Sequence, residues 1–222
     1  SLQIYDMVRI DHFRAFSSYW SVPGDALTAK EGKWVEGAGM DFFDRVKLIF
    51  GENAPIIAED LGLLDDGVIN LIRDTGLPGM RVLQFAFIDN YDNIHLPHNI
   101  PKNAIAYTGT HDNDTAFGWL YGTSPENRER ALRYCGFEGD NWGEGGYKAP
   151  AVRAMIRALW ASPAMLAIAP IQDLCGFGGD CKMNQPGIPD GNWAFRITDD
   201  ALHQMDAEWI RKTNRTYFRS SI

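Results

Sequence analysis

Three carboxylates follow short apolar runs at widely separated points of this chain. Asp11 follows residues 5–10 (YDMVRI), Glu59 follows residues 55–58 (PIIA), and Asp112 lies just beyond residues 104–107 (AIAY). If each run is a strand of one parallel sheet, the three acids stand at equivalent C-terminal strand ends and are expected on one rim. Two carboxylates on one rim are what glycosidic-bond chemistry requires. One acts as nucleophile and the other as general acid, about 5–5.5 Å apart in a retaining enzyme. Arg9 precedes Asp11 by two residues, so an extended strand turns both side chains to the same face. A guanidinium beside a carboxylate favours its ionised form, as a nucleophile needs. A carboxyl at the end of an apolar run, as Glu59 is, is the kind of group that burial keeps protonated for acid work. Taken singly, each acid also reads as a helix cap or a surface ion pair, and that alternative stands at this level.

Other clusters point elsewhere less well. His111-Asp112-Asn113-Asp114 contains a single His with no companion at helical spacing, so no metal site is expected. Gly176-Phe177-Gly178-Gly179 lacks the spacing and the downstream acid of a dinucleotide fingerprint, so no cofactor is expected. Gln172 and Asp173 follow the last apolar run and are read as rim residues. His95 and His98, around Pro97, read as a solvated loop.

The elements that must hold these residues alternate in type. Strand-like runs are expected at 5–10, 55–58, 80–87, 104–107 and 165–170, with helical spacing at 40–50, 66–73, 116–120, 125–134 and 149–161. Gly76 is placed to stop the second helix. Continuous apolar strands between helices indicate a parallel α/β sheet. Polar clusters at the strand ends suit a (β/α)8 barrel, of which five strands make only a part. A complete open five-stranded sheet is the alternative. Phe13, Tyr19, Trp20 and Trp119 fall near the expected rim, where they would stack on a ligand or pack in the core.

The 222 residues carry a net charge of −8, which argues against a non-specific nucleic-acid binder. No run is long enough to span a membrane. The three cysteines, Cys135, Cys175 and Cys181, lack paired zinc spacing and read as free thiols of a reducing compartment. No basic and apolar leader opens the chain, so a cytoplasmic location is expected. The start, directly into a strand pattern without Met, reads as a cut edge.

The runs RIDHFR, IIAEDLG, GTHDNDT and MNQPGIPDGNW, in that order, closely resemble the amylomaltases, the 4-α-glucanotransferase family. So do the stretches at 22–39 and 77–87, so that the likeness covers nearly the whole chain. The resemblance implies a (β/α)8 TIM-barrel fold, present as a partial barrel, with residues 1–222 the C-terminal part of one catalytic domain whose N-terminal strands are absent. It implies retaining transfer of α-1,4-glucan segments from a maltodextrin donor to the 4-hydroxyl of an acceptor, without metal or cofactor. Asp11 matches the nucleophile, Glu59 the general acid/base and Asp112 the third carboxylate. Arg9 matches the residue that orients the nucleophile, and His111 a donor to the sugar. Asn184, Asn192 and Trp193 lie in the matching C-terminal loop, as sugar contacts or packing residues. Two alternatives stand beside this: an α-glucan hydrolase, and an inactive glucan-binding fragment. Missing barrel strands would leave an open edge at residues 5–10, through which self-association is expected. For a plant or algal chain, the plastid stroma replaces the cytoplasm.

Overall fold

The computed structural model describes residues 1–62, 64–88 and 92–219. The chain divides into two compact units, Ser1–Met80 and Arg81–Ile222.

In the first unit, β1 (Val8–Ile10) pairs in parallel with a strand almost fifty residues away in sequence. Between them lie β2 (Ser18–Ser21), β3 (Lys33–Glu36) and helix α1 (Gly39–Phe50), and the partner is β4 (Ile56–Ala58). The register sets Ile10 opposite Ala58. Asp11 and Glu59 are therefore the first residues past the ends of neighbouring parallel strands. All three residues of β4 are buried, as a strand covered on both faces requires. Helix α2 (Asp66–Thr75) follows. The Asp65 carboxylate caps it by accepting from the Val68 N–H at 3.1 Å, and Gly76, at φ 71°, ends it in the left-handed region. Phe13, Phe43, Ala58, Val68 and Leu71 form the core of this unit. Phe13 is completely buried and its ring lies 5.3 Å from that of Phe43, so it is a packing residue and not a ligand-stacking one.

Strands β2 and β3 form an antiparallel ribbon that the sequence pattern does not announce. Trp20 pairs with Trp34 and Tyr19 with Val35. Residues 22–32, rich in turn formers, separate two runs of only four residues, which hides their common alternation.

In the second unit the elements are β5 (Gly79–Val82, which begins in the first unit), β6 (Ala104–Tyr107), α3 (Ala116–Gly122), α4 (Pro125–Tyr134), α5 (Pro150–Trp160), β7 (Leu166–Ile168), α6 (Ile171–Leu174), α7 (Asp199–Gln204) and α8 (Ala207–Thr216). The sheet order is β5-β6-β7, and β6 and β7 run parallel with Tyr107 opposite Ile168. Helix α5 buries Ala151, Val152, Met155, Ile156, Leu159 and Trp160, the i, i+3, i+4 stripe of a core-facing helix. Truncating Leu159 to Ala would cost about 2–5 kcal/mol, as such core cavities do. Arg219 closes the C-terminal end by donating to the carbonyls of Trp160, Ser162 and Ala164.

All five expected strands form, the one at 104–107 over its full span and the other four in shorter spans. The run at 80–87 is a strand only to Val82, after which Leu83–Phe85 coil into a 3-10 turn. The cause is local hydrogen bonding. The Val82 N–H goes to His95 Nδ1 at 3.1 Å, the Ala86 N–H returns to the Leu83 carbonyl, and the buried Gln84 side chain donates to the Asp114 carbonyl. His95 is thereby part of the packing, its ring edge-on to Phe85, while His98 is exposed against the Tyr134 hydroxyl. Among the described residues no helix is long and apolar enough to cross a membrane.

Candidate active site

Asp11 and Glu59 are brought together by the β1–β4 register and by the residue between β1 and the core. His12 has φ 48° and ψ 53°, a left-handed conformation rare for a residue with a side chain. That kink turns its backbone N–H onto Glu59 Oε2 at 2.8 Å and lets Phe13 drop into the core. The other oxygen, Oε1, accepts from the Leu61 N–H at 2.9 Å. Each carboxylate oxygen has two lone-pair directions, so one on each remains for a ligand.

Asp11 is exposed, and its Oδ1 lies 2.7 Å from an Arg9 guanidinium nitrogen, as their two-residue spacing predicts. Arg9 is itself held: its Nε donates to the Met80 sulfur at 3.2 Å. Met80 is buried, and its backbone N–H donates to the buried Asp60 carboxylate at 2.6 Å. Gly79 is needed beside it, since a Cβ there would come within 2.4 Å of Asp60 Oδ2. The first unit therefore orders Asp11 through the chain Asp60, Met80, Arg9. Neither Met80 nor Asp60 stands out in the sequence, because an apolar residue and the second acid of a pair carry no pattern of their own.

Asp112, in the second unit, sits in the loop between β6 and α3. That loop is a local fold: Asn113 Oδ1 accepts from both the N–H and the hydroxyl of Thr110, each at 2.8 Å. Asp112 Oδ1 accepts from the Asn184 carboxamide at 2.5 Å, and His111 Nε2 lies 3.4 Å from Asp112 Oδ2. The Asn184 N–H also donates to the His111 carbonyl at 3.0 Å. The Trp193 ring, more than half exposed, packs on the His111 imidazole with centroids 5.1 Å apart. Asn192 braces its own loop, accepting from the Gln185 N–H and donating to the Ile188 carbonyl. Four predicted residues, His111, Asp112, Asn184 and Trp193, thus form one constellation, and Asn192 supports it from within the loop.

Behind it is a cavity of about 140 Å³ lined by Thr110, His111, Asp114, Gln172, Asp173 and Lys182, among others. Gln172 and Asp173, expected as rim residues, are buried beneath the loop. Trp119 is partly buried against the core, whereas Tyr19 and Trp20 are exposed on their ribbon. The three cysteines are free, and burial pushes the Cys135 thiol up to about 12. Among the described residues no group of three His, Cys, Asp or Glu side chains is arranged to hold a metal ion.

A family model described as 4-alpha-glucanotransferase matches residues 1–202. The chain is 41% identical over 223 aligned positions to a 4-alpha-glucanotransferase of Clostridium butyricum, covering 99% of this chain and 43% of that one. It is 42% identical over 205 positions to a 4-alpha-glucanotransferase of Thermus thermophilus, covering 91% of this chain and 40% of the other. Among solved structures, an amylomaltase from Streptococcus agalactiae in complex with acarbose superposes with a TM-score of 0.90 at 34% identity, covering 99% of this chain and 43% of its own. The chain thus spans less than half the length of these relatives. Its parallel and antiparallel strands with flanking helices have the partial (β/α)8-barrel architecture of that fold.

Proposed function

The chain belongs to the 4-alpha-glucanotransferase family, and from that premise we propose that it takes part in retaining transfer of α-1,4-glucan segments between maltodextrins. Asp11 attacks the anomeric carbon of the donor while Glu59 gives a proton to the departing 4-oxygen. The glycosidic C–O bond breaks as the ester bond to Asp11 forms. In the second half the 4-hydroxyl of an acceptor attacks the same carbon, Glu59 takes its proton, and the bond to Asp11 breaks. Two inversions retain the configuration. Asp112, oriented by Asn184, is the third carboxylate and holds sugar hydroxyls. His111 donates to the sugar from beside it.

The observation that supports this most is the register of Ile10 with Ala58 together with the bond from the His12 N–H to Glu59. It sets two acids side by side at parallel strand ends, one backed by a guanidinium and the other held by two backbone donors. Transfer prevails over hydrolysis when a bound acceptor is already in line with the reacting carbon, because proximity outweighs the concentration of water.

The test is incubation of the 222-residue chain with maltotriose and chromatography of the products. Glucose plus a ladder of longer maltodextrins is expected, abolished by Asp11→Asn. Glucose and maltose without longer products would make it a hydrolase. Absence of products would overturn activity for this chain, and titration with acarbose would then decide whether it binds glucan analogues.

A further inference from the structure

The loop that carries His111 and Asp112 begins and ends on one side chain. Asp173, on the short helix α6, is only 2% exposed, and its two carboxylate oxygens diverge. Oδ2 accepts from the Thr108 hydroxyl, just past the end of β6. Oδ1 accepts from the Ala116 N–H at 2.7 Å, the first residue of α3. Residues 109–115 lie between these two anchors. Thr108 is itself wholly buried, and Ala116 is too.

We propose that Asp173 is a positioning residue: its buried carboxylate pins both ends of the 109–115 loop and so fixes where His111 and Asp112 stand. The alternatives for a buried acid are weaker here. The two carboxylate oxygens of Asp173 are engaged by Thr108 and Ala116, and the residue is buried. A helix cap alone would use one oxygen on Ala116 and would leave Thr108 to water or to a backbone carbonyl. The remaining supports of the loop act between the anchors. Gln84 Nε2 donates to the Asp114 carbonyl at 2.7 Å, and Asn184 reaches His111 and Asp112 from the far side. With both ends fixed and the middle braced, the loop has one geometry available before any ligand arrives, which is how preorganised sites avoid an ordering cost.

Two substitutions separate the anchors. Thr108→Val keeps shape and volume but removes the donor at the first end. Asp173→Ala removes both. Asp173→Asn keeps the clamp, since its oxygen can accept from Ala116 while its NH2 donates to the Thr108 oxygen. Hydrogen exchange by mass spectrometry reads the loop directly, with α5 as an internal reference. Asp173→Ala is expected to raise exchange across 109–115 about tenfold or more, the loss of buried charge-assisted hydrogen bonds. Thr108→Val raises it at 109–112 alone, and Asp173→Asn restores the wild-type pattern.

The His111 C–H proton resonances give a second readout, because the Trp193 ring shifts them in the fixed geometry. They should move toward free-imidazole positions in Thr108→Val and Asp173→Ala and stay in Asp173→Asn. Unchanged exchange and resonances in Thr108→Val and Asp173→Ala, or exchange rising equally in α5, would overturn the proposal. It rests on the glucan-site reading of His111 and Asp112, but both measurements are made without sugar. Failure of the clamp is therefore seen apart from failure of that reading.

Discussion

The backbone N–H of His12 donates to Glu59 Oε2 at 2.8 Å, so the residue next to Asp11 is bonded to the carboxylate of Glu59. The two proposed reacting acids are thereby tied in position by one hydrogen bond and one strand register. Their proposed roles, nucleophile and proton donor, are separable by leaving group. Glu59→Ala should lose transfer from maltotriose by two orders of magnitude or more, as removal of a general acid typically does (~10²–10⁴). It should keep the first step with α-glucosyl fluoride, whose leaving group needs no proton. Asp11→Asn should lose both. Rates with the two donors check this, and equal loss in both variants with both donors would remove the assignment.

Met80→Leu tests the support behind Arg9. Leu fills the same buried volume but offers no acceptor to Arg9 Nε. The guanidinium then keeps its contact with Asp11 but loses the sulfur that steadies it. Stability to heat should fall by about 0.5–1.5 kcal/mol, the size of one modest hydrogen bond. The transfer rate should fall about tenfold with KM nearly unchanged, because substrate contacts are not removed. A raised KM at constant kcat would argue that Arg9 binds sugar directly.

Gly79→Ala tests close packing. The added methyl would meet the Asp60 carboxylate at 2.4 Å, and that carboxylate also holds the Met80 N–H. Overpacking of this kind costs about 1–3 kcal/mol, read as a lower denaturant midpoint at constant slope. Gly24, with nothing near its missing Cβ, is the control, and Gly24→Ala should leave the midpoint unchanged within error.

Asp173 should make stability depend on pH. Burial pushes its carboxyl up to about 6; the bonds from Thr108 and Ala116 pull it down, and the charge of Asp114 adds to the rise. His111 and Lys182 line the same cavity. The folded state therefore holds a proton at Asp173 between about pH 4 and 6 that the unfolded chain has lost. Stability from this group is full below about pH 4 and is lost as pH rises through about 6. The loss is about 3 kcal/mol at most, at about 1.4 kcal/mol for each pH unit between the ordinary carboxyl value and about 6. Asp173→Asn should match the wild type near pH 4 and melt higher above pH 6. Parallel melting curves at every pH would refute this.

Much of the site is legible because its residues sit where strands end. The Arg9–Asp11 pair follows from two-residue alternation, and Glu59 from an apolar run closing in an acid. The motifs around Asp112 and Trp193 appear as short polar clusters in the one-dimensional text. What is not legible depends on the third dimension. The β2–β3 ribbon needs Trp20 to find Trp34 across a turn-rich segment, and four-residue alternation is too short to declare itself. Asp173 resembles a rim acid because it follows a strand. The direction of its side chain is set by Thr108 and Ala116, which lie 65 and 57 residues away. Met80 reads as one more strand residue, and only the fold puts its sulfur against Arg9.

Trp193 has φ 61°, a conformation that costs a side-chain-bearing residue roughly 1–2 kcal/mol. It is held there by its N–H to the Met183 carbonyl at 2.7 Å and by the bracing of Asn192. Gly suits that backbone better than any other residue, yet Gly carries no ring to lay against His111. Trp193→Gly would relieve that backbone cost, but it would also give up the ring contact with His111 and add freedom to the unfolded chain, so these effects oppose one another in stability.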